Sequence, residues 1–153
     1  MTKQEYKDIY DAVGAAMEVY NTLGRGMSEL IYQEALAMEM SEREMTFERE
    51  KQLKLYYKGT LMEKTFYADF VYKDIIVELK SADSICSDHR AQLFNYMRIT
   101  HTPIGLLINF GRPSLEGERY MLIEDTNECV LLDKNMDPVY DYPYNDYYEM
   151  SEL

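Results

Sequence analysis

This chain of 153 residues has few of the features that mark secreted, membrane-spanning or nucleotide-hydrolysing proteins. Its two cysteines, Cys86 and Cys129, lie 43 residues apart and match no zinc-ligand spacing, so we expect neither a disulfide framework nor a zinc site. Its seven glycines form no glycine-rich phosphate loop, which leaves an NTPase role without support. The charged start of the chain and the lack of any run of about 18 apolar residues predict a cytoplasmic protein with no membrane partner.

Positive charge is also scarce, because 16 Lys and Arg stand against 28 Asp and Glu, and the formal net charge is −12. Phosphate-binding proteins usually carry a basic surface, so this composition argues against a nucleic-acid partner. The deficit is concentrated late in the chain: residues 1–113 hold 14 basic and 17 acidic residues, and residues 114–153 hold 2 and 11. The first part is therefore nearly neutral, and the charge objection is weaker there.

We divide the chain into a domain over residues 1–132 and an acidic, Tyr-rich extension over residues 133–153. Five tyrosines lie among the acids of the extension: Tyr140, Tyr142, Tyr144, Tyr147 and Tyr148. Disorder or a packed extension is the simplest interpretation. A second hypothesis is that this segment imitates single-stranded nucleic acid and covers a binding groove.

Hydrophobic periodicity predicts an α/β domain in which helices flank a mixed central sheet. A crossover helix is expected over residues 84–101, with Ser87 or Asp88 as its N-cap, followed by a buried parallel strand over residues 104–110. The other expected elements are helices over residues 4–23 and 28–44, and strands over residues 51–58, 67–72, 75–80, 120–124 and 129–132.

Residues 67–80, YADFVYKDIIVELK, carry the strongest functional signal. A symmetric turn at Lys73-Asp74 places Asp69 opposite Glu78 and Tyr67 opposite Lys80 on one surface of a hairpin. Two opposed carboxylates repel each other unless a cation lies between them, and Mg²⁺ favours one or two carboxylates with water. The alternative is a surface ladder in which Lys80 offsets the two acids.

Four motifs in this order resemble a known family. Asp69 followed by ELK at residues 78–80 resembles the core of the PD-(D/E)xK nuclease superfamily, and GMSELIY at residues 26–32 matches the motif of its GxxExxY branch. HRAQLFNYM at residues 89–97 and GLLINFG at residues 105–111 extend the resemblance. It implies a restriction-endonuclease-like core.

The resemblance also implies roles for single residues. Asp69 and Glu78 would bind Mg²⁺ or Mn²⁺ together with the backbone carbonyl of Leu79. Lys80 would orient or activate the attacking water. Glu29 would add an acid from the second helix, either to complete a second metal site or to hold a water.

Gln92 and Tyr96 resemble the QxxxY motif of RecB-type nucleases, which lies beside the metal site and touches the nucleic-acid backbone. His89 falls on the same helical stripe, at i, i+3 and i+7 with these two residues, and is a candidate substrate contact. Tyr67 is another, although it stands where many GxxExxY relatives have an arginine. The proline of the superfamily name is absent.

The implied function is a Mg²⁺ or Mn²⁺-dependent phosphodiesterase that hydrolyses DNA in preference to RNA, with pairing of two subunits as a further expectation. Two alternatives stay open from the sequence. One is an inactive or weakly active member that serves as a binding module in a defence, repair or toxin-related system. The other is an acidic interaction protein that imitates nucleic acid.

Overall fold

A computed structural model describes residues 1–140 as three helices and seven strands. The helices are α1 (Lys3–Leu23), α2 (Glu29–Glu42) and α3 (Ser87–Thr100). The strands are β1 (Glu48–Tyr57), β2 (Thr60–Tyr72), β3 (Ile75–Lys80), β4 (Ile104–Asn109), β5 (Glu116–Ile123), β6 (Glu128–Leu132) and β7 (Pro138–Val139). No helix within residues 1–140 is long and apolar enough to cross a membrane.

The strands form one sheet in chain order, from β1 at one edge to β7 at the other. Only the β3–β4 pair among them is parallel, and α3 makes the crossover between these two strands. All the other neighbouring pairs are antiparallel. The fold is therefore the mixed, restriction-endonuclease-like α/β architecture expected from the sequence.

The sheet separates two apolar cores. On one face, α1 and α2 pack against residues such as Phe70, Val77 and Ile108. On the other face, α3 packs through Leu93 and Met97. β3 and β4 are buried on both faces, which explains their continuous apolar sequences.

Helix α1 begins at a capping box. The Glu5 N–H donates to Thr2 Oγ1 (3.0 Å), and the Thr2 N–H donates to Glu5 Oε2 (2.8 Å). The apolar residues that follow at helical spacing, including Ile9 and Val13, are buried against the sheet.

Several element boundaries differ from those predicted, and the largest difference is that β2 begins at Thr60 and not at residue 67. Helix α3 is capped by Cys86, not by Ser87 or Asp88, because its free N-terminal amides lie one residue earlier and the His89 ring completes the cap. Within the predicted extension, Pro138 and Val139 form β7, which pairs with β6, and Met136 joins the core. Residues 141–153, with Tyr142, Tyr144, Tyr147 and Tyr148, lie outside the described residues.

Candidate active site

The β2–β3 hairpin opens at the two candidate acids. Beyond its regular pairing, the Asp69 N–H donates to Glu78 Oε1 (3.0 Å), and the Leu79 N–H donates to Asp69 Oδ2 (2.8 Å). The carboxylates take the place of backbone carbonyls, so the strands separate around them. The regular pairs before this opening keep the predicted register: Phe70 with Val77, Val71 with Ile76, and Tyr72 with Ile75.

The predicted pairing of Tyr67 with Lys80 is wrong, because the ladder between β2 and β3 ends before it reaches them. Tyr67 pairs with Gln52 of β1, and its side chain is 53% exposed. Its assignment as a substrate contact stays a prediction.

Asp69 and Glu78 both hold protons more tightly than ordinary carboxyl groups. Glu78 is only 3% exposed, and this burial together with the charge of Asp69 raises its pKa to about 9. Burial also raises the pKa of Asp69, and the charge of Glu29 raises it further. Hydrogen bonds from Leu79 N–H and from Gln33 act in the opposite direction on Asp69. A cation bound between the two groups would favour their ionised forms.

Lys80 lies at the end of β3 and is held by α3. Its Nζ donates to Gln92 Oε1 (3.0 Å), and Gln92 Nε2 donates to the Tyr96 hydroxyl (3.1 Å). Tyr96 is buried, and burial and the nearby charge of Glu78 raise its pKa. The structure thus connects the QxxxY motif directly to the lysine of the ELK motif.

His89 begins the same helical stripe but makes a local contact. Its Nδ1 accepts the Cys86 N–H (3.2 Å), which caps α3. Burial and the charge of Lys80 lower the pKa of His89, whereas the charge of Glu29 raises it. His89 therefore lies within electrostatic range of the candidate site, on the side where Glu29 and Lys80 lie.

Glu29 is exposed in the first turn of α2, just after a loop that Tyr32 fixes in place. The Tyr32 hydroxyl donates to the Gly24 carbonyl (2.6 Å) and accepts the Met27 N–H (3.3 Å). Its ring stacks on Phe110 at a centroid distance of 4.3 Å. The tyrosine of the GxxExxY motif thus holds the loop that leads to the motif's glutamate.

A second amide, Gln33, lies beside the acids and was not predicted from the sequence. Gln33 Nε2 donates to Asp69 Oδ1 (3.0 Å) and to Glu50 Oε1 (3.1 Å), and Gln33 Oε1 accepts from Arg49 Nε (2.9 Å). Gln33 could have been found, because it follows Glu29 by four residues and shares its helix face. Glu50 gave no such signal, because it reaches Gln33 through a left-handed backbone (φ 52°) that interrupts β1 opposite Asp69.

The loop after β3 is held to β4 by Asn109. The Asn109 side chain accepts from the Ala82 N–H (2.9 Å) and donates to the Ala82 carbonyl (3.0 Å). Gly111 packs so closely here that a Cβ would lie 2.1 Å from the Ala82 carbonyl oxygen. Ser81 Oγ donates to the Met27 carbonyl (2.7 Å), which joins this loop to the loop that Tyr32 fixes.

The donor set suits a hard divalent cation. Mg²⁺ and Mn²⁺ prefer carboxylate and carbonyl oxygens, and Asp69 and Glu78 converge with their proton affinities raised by burial. Within residues 1–140, however, no group of three or more His, Cys, Asp and Glu side chains is arranged to hold a metal. A metal here would therefore be held by two carboxylates and a backbone carbonyl, and water would fill its remaining positions.

A solved structure shares this fold. The crystal structure of SSO0001 aligns over 63% of this chain and 53% of that chain, with a TM-score of 0.50 and 18% identity. The alignment thus spans about half of the SSO0001 chain. No curated protein matches the sequence.

The family model of the PD-(D/E)XK nuclease superfamily matches residues 6–120, three quarters of the 153 residues. The matched segment runs from the first turn of α1 to the middle of β5 and contains every candidate site residue. The chain therefore belongs to the PD-(D/E)XK nuclease superfamily.

Proposed function

We propose that this protein is a Mg²⁺ or Mn²⁺-dependent nuclease that hydrolyses DNA in preference to RNA. The observation that carries the proposal is the convergence of Asp69 and Glu78, each bonded to the other's strand, beside a lysine held by Gln92. A purely structural salt bridge would pair Lys80 with one of these acids. Here the hydrogen bond of Lys80 goes to a neutral amide instead.

Asp69, Glu78 and the carbonyl of Leu79 would hold the cation, and Glu29 would add a carboxylate from α2. When bound, the cation lowers the pKa of water and stabilises charge on the phosphate. Membership of the superfamily supports this dependence on a divalent metal.

Lys80 supplies a fixed positive charge where negative charge develops on the phosphate. Gln92 accepts one N–H of the ammonium and leaves its other two protons for water and phosphate oxygens. Hydrolysis forms one P–O bond to the water oxygen and breaks one P–O bond to the leaving oxygen. The attacking water gives up a proton, and the leaving oxygen takes one up.

Nuclease activity is tested by Mn²⁺-dependent cleavage of labelled single-stranded, duplex and branched DNA and RNA. Asp69→Ala removes an acid of the site, and Asp74→Ala, an exposed acid in the turn of the same hairpin, is the matched control. We expect cleavage by the wild type and the control and none by Asp69→Ala. Equal cleavage by all three proteins would point to a contaminating nuclease and contradict the proposal.

A binding module without catalysis is the second candidate. It is favoured by the hydrogen bonds that the two acids already accept within the protein. Asp69 accepts from Leu79 N–H and from the Gln33 side chain, and Glu78 accepts from Asp69 N–H. Binding to nucleic acid in the presence of Mn²⁺, with no turnover on any substrate, would support this candidate over the nuclease.

A further inference from the structure

A cavity of about 590 Å³ lies beside α1, on the sheet face opposite to α3. The end of α2, strand β5 and the turn between β6 and β7 complete its walls. The 14 residues of α2 separate Glu29 at the candidate active site from Arg43 at this cavity. At 1.5 Å per residue that is about 20 Å, so the cavity is a separate site.

Arg119 of β5 lines the cavity and is only 6% exposed. Its Nε and Nη1 have no hydrogen-bond partner among the residues that the structure describes. A buried donor without an acceptor is costly, because it has lost its water and gained nothing in exchange. Two unpaired guanidinium donors on a residue that lines an open cavity therefore point to an anionic group that comes from outside the described chain.

The opposite face of β5 shows what a paired arginine looks like in this fold. There the Arg90 guanidinium makes a bidentate pair with Glu118, through Nε (2.8 Å) and Nη2 (2.7 Å). Arg119, the next residue after Glu118, is directed to the other face, where no carboxylate of residues 1–140 lies within 4.0 Å of its nitrogens. Arg90 thus has a carboxylate partner, and Arg119 has none among the described residues.

Charges of both signs surround the cavity near Arg119. Lys134 and Arg43 also line it, and so do the acids Asp11 and Glu18. Asp11 is already neutralised by Lys7 (2.5 Å), and Arg43 is paired with Glu39 (2.6 Å). Glu18 of the lining and Asp133, whose charge acts on Arg119, offset part of the positive charge of Arg119 and Lys134.

Two tyrosine rings stand at the rim. Tyr6 and Tyr10 lie one helical turn apart on α1, with exposed fractions of 45% and 70%. Aromatic faces of this kind stack on planar rings, including nucleobases. The cavity volume falls in the range of ordinary small-molecule sites, roughly 300 to 1,000 Å³.

We propose that this cavity binds a small phosphorylated molecule with a planar ring, of the nucleoside monophosphate class. Its phosphate accepts hydrogen bonds from Arg119 and lies near Lys134, and its ring contacts Tyr6 and Tyr10 at the rim. A phosphate group has three acceptor oxygens, so it can accept from both unpaired donors of Arg119 and still present an oxygen to Lys134. The proposal does not depend on the proposed nuclease activity.

Two variants test the cavity in different ways. Arg119→Met keeps much of the side-chain length and removes the hydrogen-bond donors. Because it also removes a buried unpaired charge, we expect the variant to melt at the same temperature as the wild type or higher. Gly14→Leu fills the cavity instead, since a Cβ on Gly14 would already lie 3.4 Å from the Arg43 guanidinium. Arg98→Met, on the α3 side of the sheet, is the matched control.

The measurement is titration calorimetry of the full chain at constant ionic strength with a chelator present. The probes are adenosine monophosphate, inorganic phosphate, adenosine and citrate. We expect adenosine monophosphate to bind one site at least tenfold more tightly than phosphate or citrate, and adenosine alone not to bind. Binding should weaken at least tenfold in Arg119→Met and in Gly14→Leu and stay unchanged in Arg98→Met.

The same titration in Asp69→Ala separates this site from the candidate active site, and binding should persist there. Loss of binding in Asp69→Ala, or full binding in both cavity variants, would overturn the proposal. So would the absence of binding to the wild type, and citrate binding as tight as the monophosphate would overturn the phosphate class. If Arg119→Met does not fold, Gly14→Leu alone decides the outcome.

Discussion

Glu78 is a carboxyl group that the fold keeps almost out of water. Its burial and the neighbouring Asp69 raise its pKa to about 9, so the metal-free protein carries it protonated near neutral pH. A bound cation would displace that proton. Metal binding at Glu78 would therefore be coupled to proton release.

We expect the stability of the metal-free protein to fall as the pH rises from about 4.5 to about 9. In this window native Glu78 keeps a proton that the unfolded chain has lost, so the free energy of unfolding decreases with pH, by up to about 1.4 kcal/mol per unit. Glu78→Gln cannot ionise and should show a flatter dependence. Urea unfolding between pH 5.5 and 8.5 with a chelator measures it.

The control for this measurement is Glu63→Gln, which changes an exposed glutamate on β2 and should keep the wild-type slope. Equal slopes for the wild type and Glu78→Gln would show that Glu78 is already ionised in the metal-free protein.

Gln92 is expected to act by positioning Lys80. In Gln92→Ala the ammonium loses its acceptor and the Tyr96 hydroxyl loses its donor, so the charge no longer has a fixed place. We expect kcat to fall about 10- to 100-fold with little change in KM. Steady-state kinetics on the best substrate measures this, with Asn95→Ala, an exposed residue of the same helix, as control.

A higher KM with unchanged kcat would instead make Gln92 a substrate contact and contradict the positioning role. In that outcome a group other than Gln92 would have to orient Lys80.

Single residues of the candidate site differ in how far the sequence revealed them. Asp69, Glu78 and Lys80 could be recognised because their spacing matches a motif and a tight hairpin turn brings the two acids together. Glu50 could not, since its position depends on a left-handed residue within a strand, which no periodicity indicates. The hydrogen bonds from backbone amides to the Asp69 and Glu78 carboxylates could not be predicted either, because no sequence pattern indicates them.

At the scale of elements, the loop between α1 and α2 determines where Glu29 stands. Tyr32 holds this loop by two hydrogen bonds and by stacking on Phe110. The ring and the hydroxyl therefore have separable roles. The ring belongs to the core, and the hydroxyl serves the loop.

We expect Tyr32→Phe to fold with the same core and to lose about 1 kcal/mol of stability, because two loop hydrogen bonds are removed. Cleavage should fall by more than this loss explains, since Glu29 loses its fixed position. Chemical denaturation and cleavage rates measured on the same preparation check both effects. Tyr57→Phe, an exposed tyrosine of β1, should change neither.

On the other side of the candidate site, Gly111 lets the chain after β4 pack closely against the loop that follows β3. Gly111→Ala would place a Cβ 2.1 Å from the Ala82 carbonyl oxygen, which is backbone and cannot move aside as a side chain would. We expect a loss of about 1 to 3 kcal/mol in unfolding free energy. Gly59→Ala, in the open β1–β2 turn, controls for the loss of a glycine, although its positive φ adds its own strain.

Most elements could be predicted because their apolar residues follow a clear period. The parallel placement of β4 after the α3 crossover was predicted and is confirmed, as are the three β2–β3 pairs nearest the turn. The short β7 could not be, since two residues with one proline carry no strand signal. Met136, in the turn that precedes β7, is buried in the core.

At the scale of the whole molecule, the distribution of charge affects how strongly a nucleic-acid substrate would bind. The net charge of −12 would oppose the approach of a nucleic acid at long range, and a cation bound at the candidate site would attract phosphate at short range. The hypothesis that the acidic segment imitates nucleic acid falls mainly on residues 141–153, outside the described residues. It stays a prediction.

We expect deletion of residues 141–153 to tighten nucleic-acid binding about 3- to 10-fold at low salt, because the deleted segment holds four acidic residues and no basic one. The cut leaves β7 in place, unlike a cut at residue 133. Fluorescence anisotropy with Ca²⁺ at two salt concentrations measures the effect, which should shrink as salt rises.

The matched control replaces residues 141–153 with a Gly/Ser segment that keeps the four acids in place. If this variant binds as tightly as the deletion, the tyrosines matter. If it binds as the wild type does, charge alone explains the effect. No change on deletion would contradict the hypothesis.

The two acids of the candidate site lie nine residues apart in the chain and are joined by a two-residue turn. They can therefore meet as soon as this hairpin closes, within microseconds, before α3 and β4 have found their places. Their mutual repulsion then opposes an early step of folding. A chain that begins to fold at mildly acidic pH, or with the divalent ion already present, is expected to reach its native state faster.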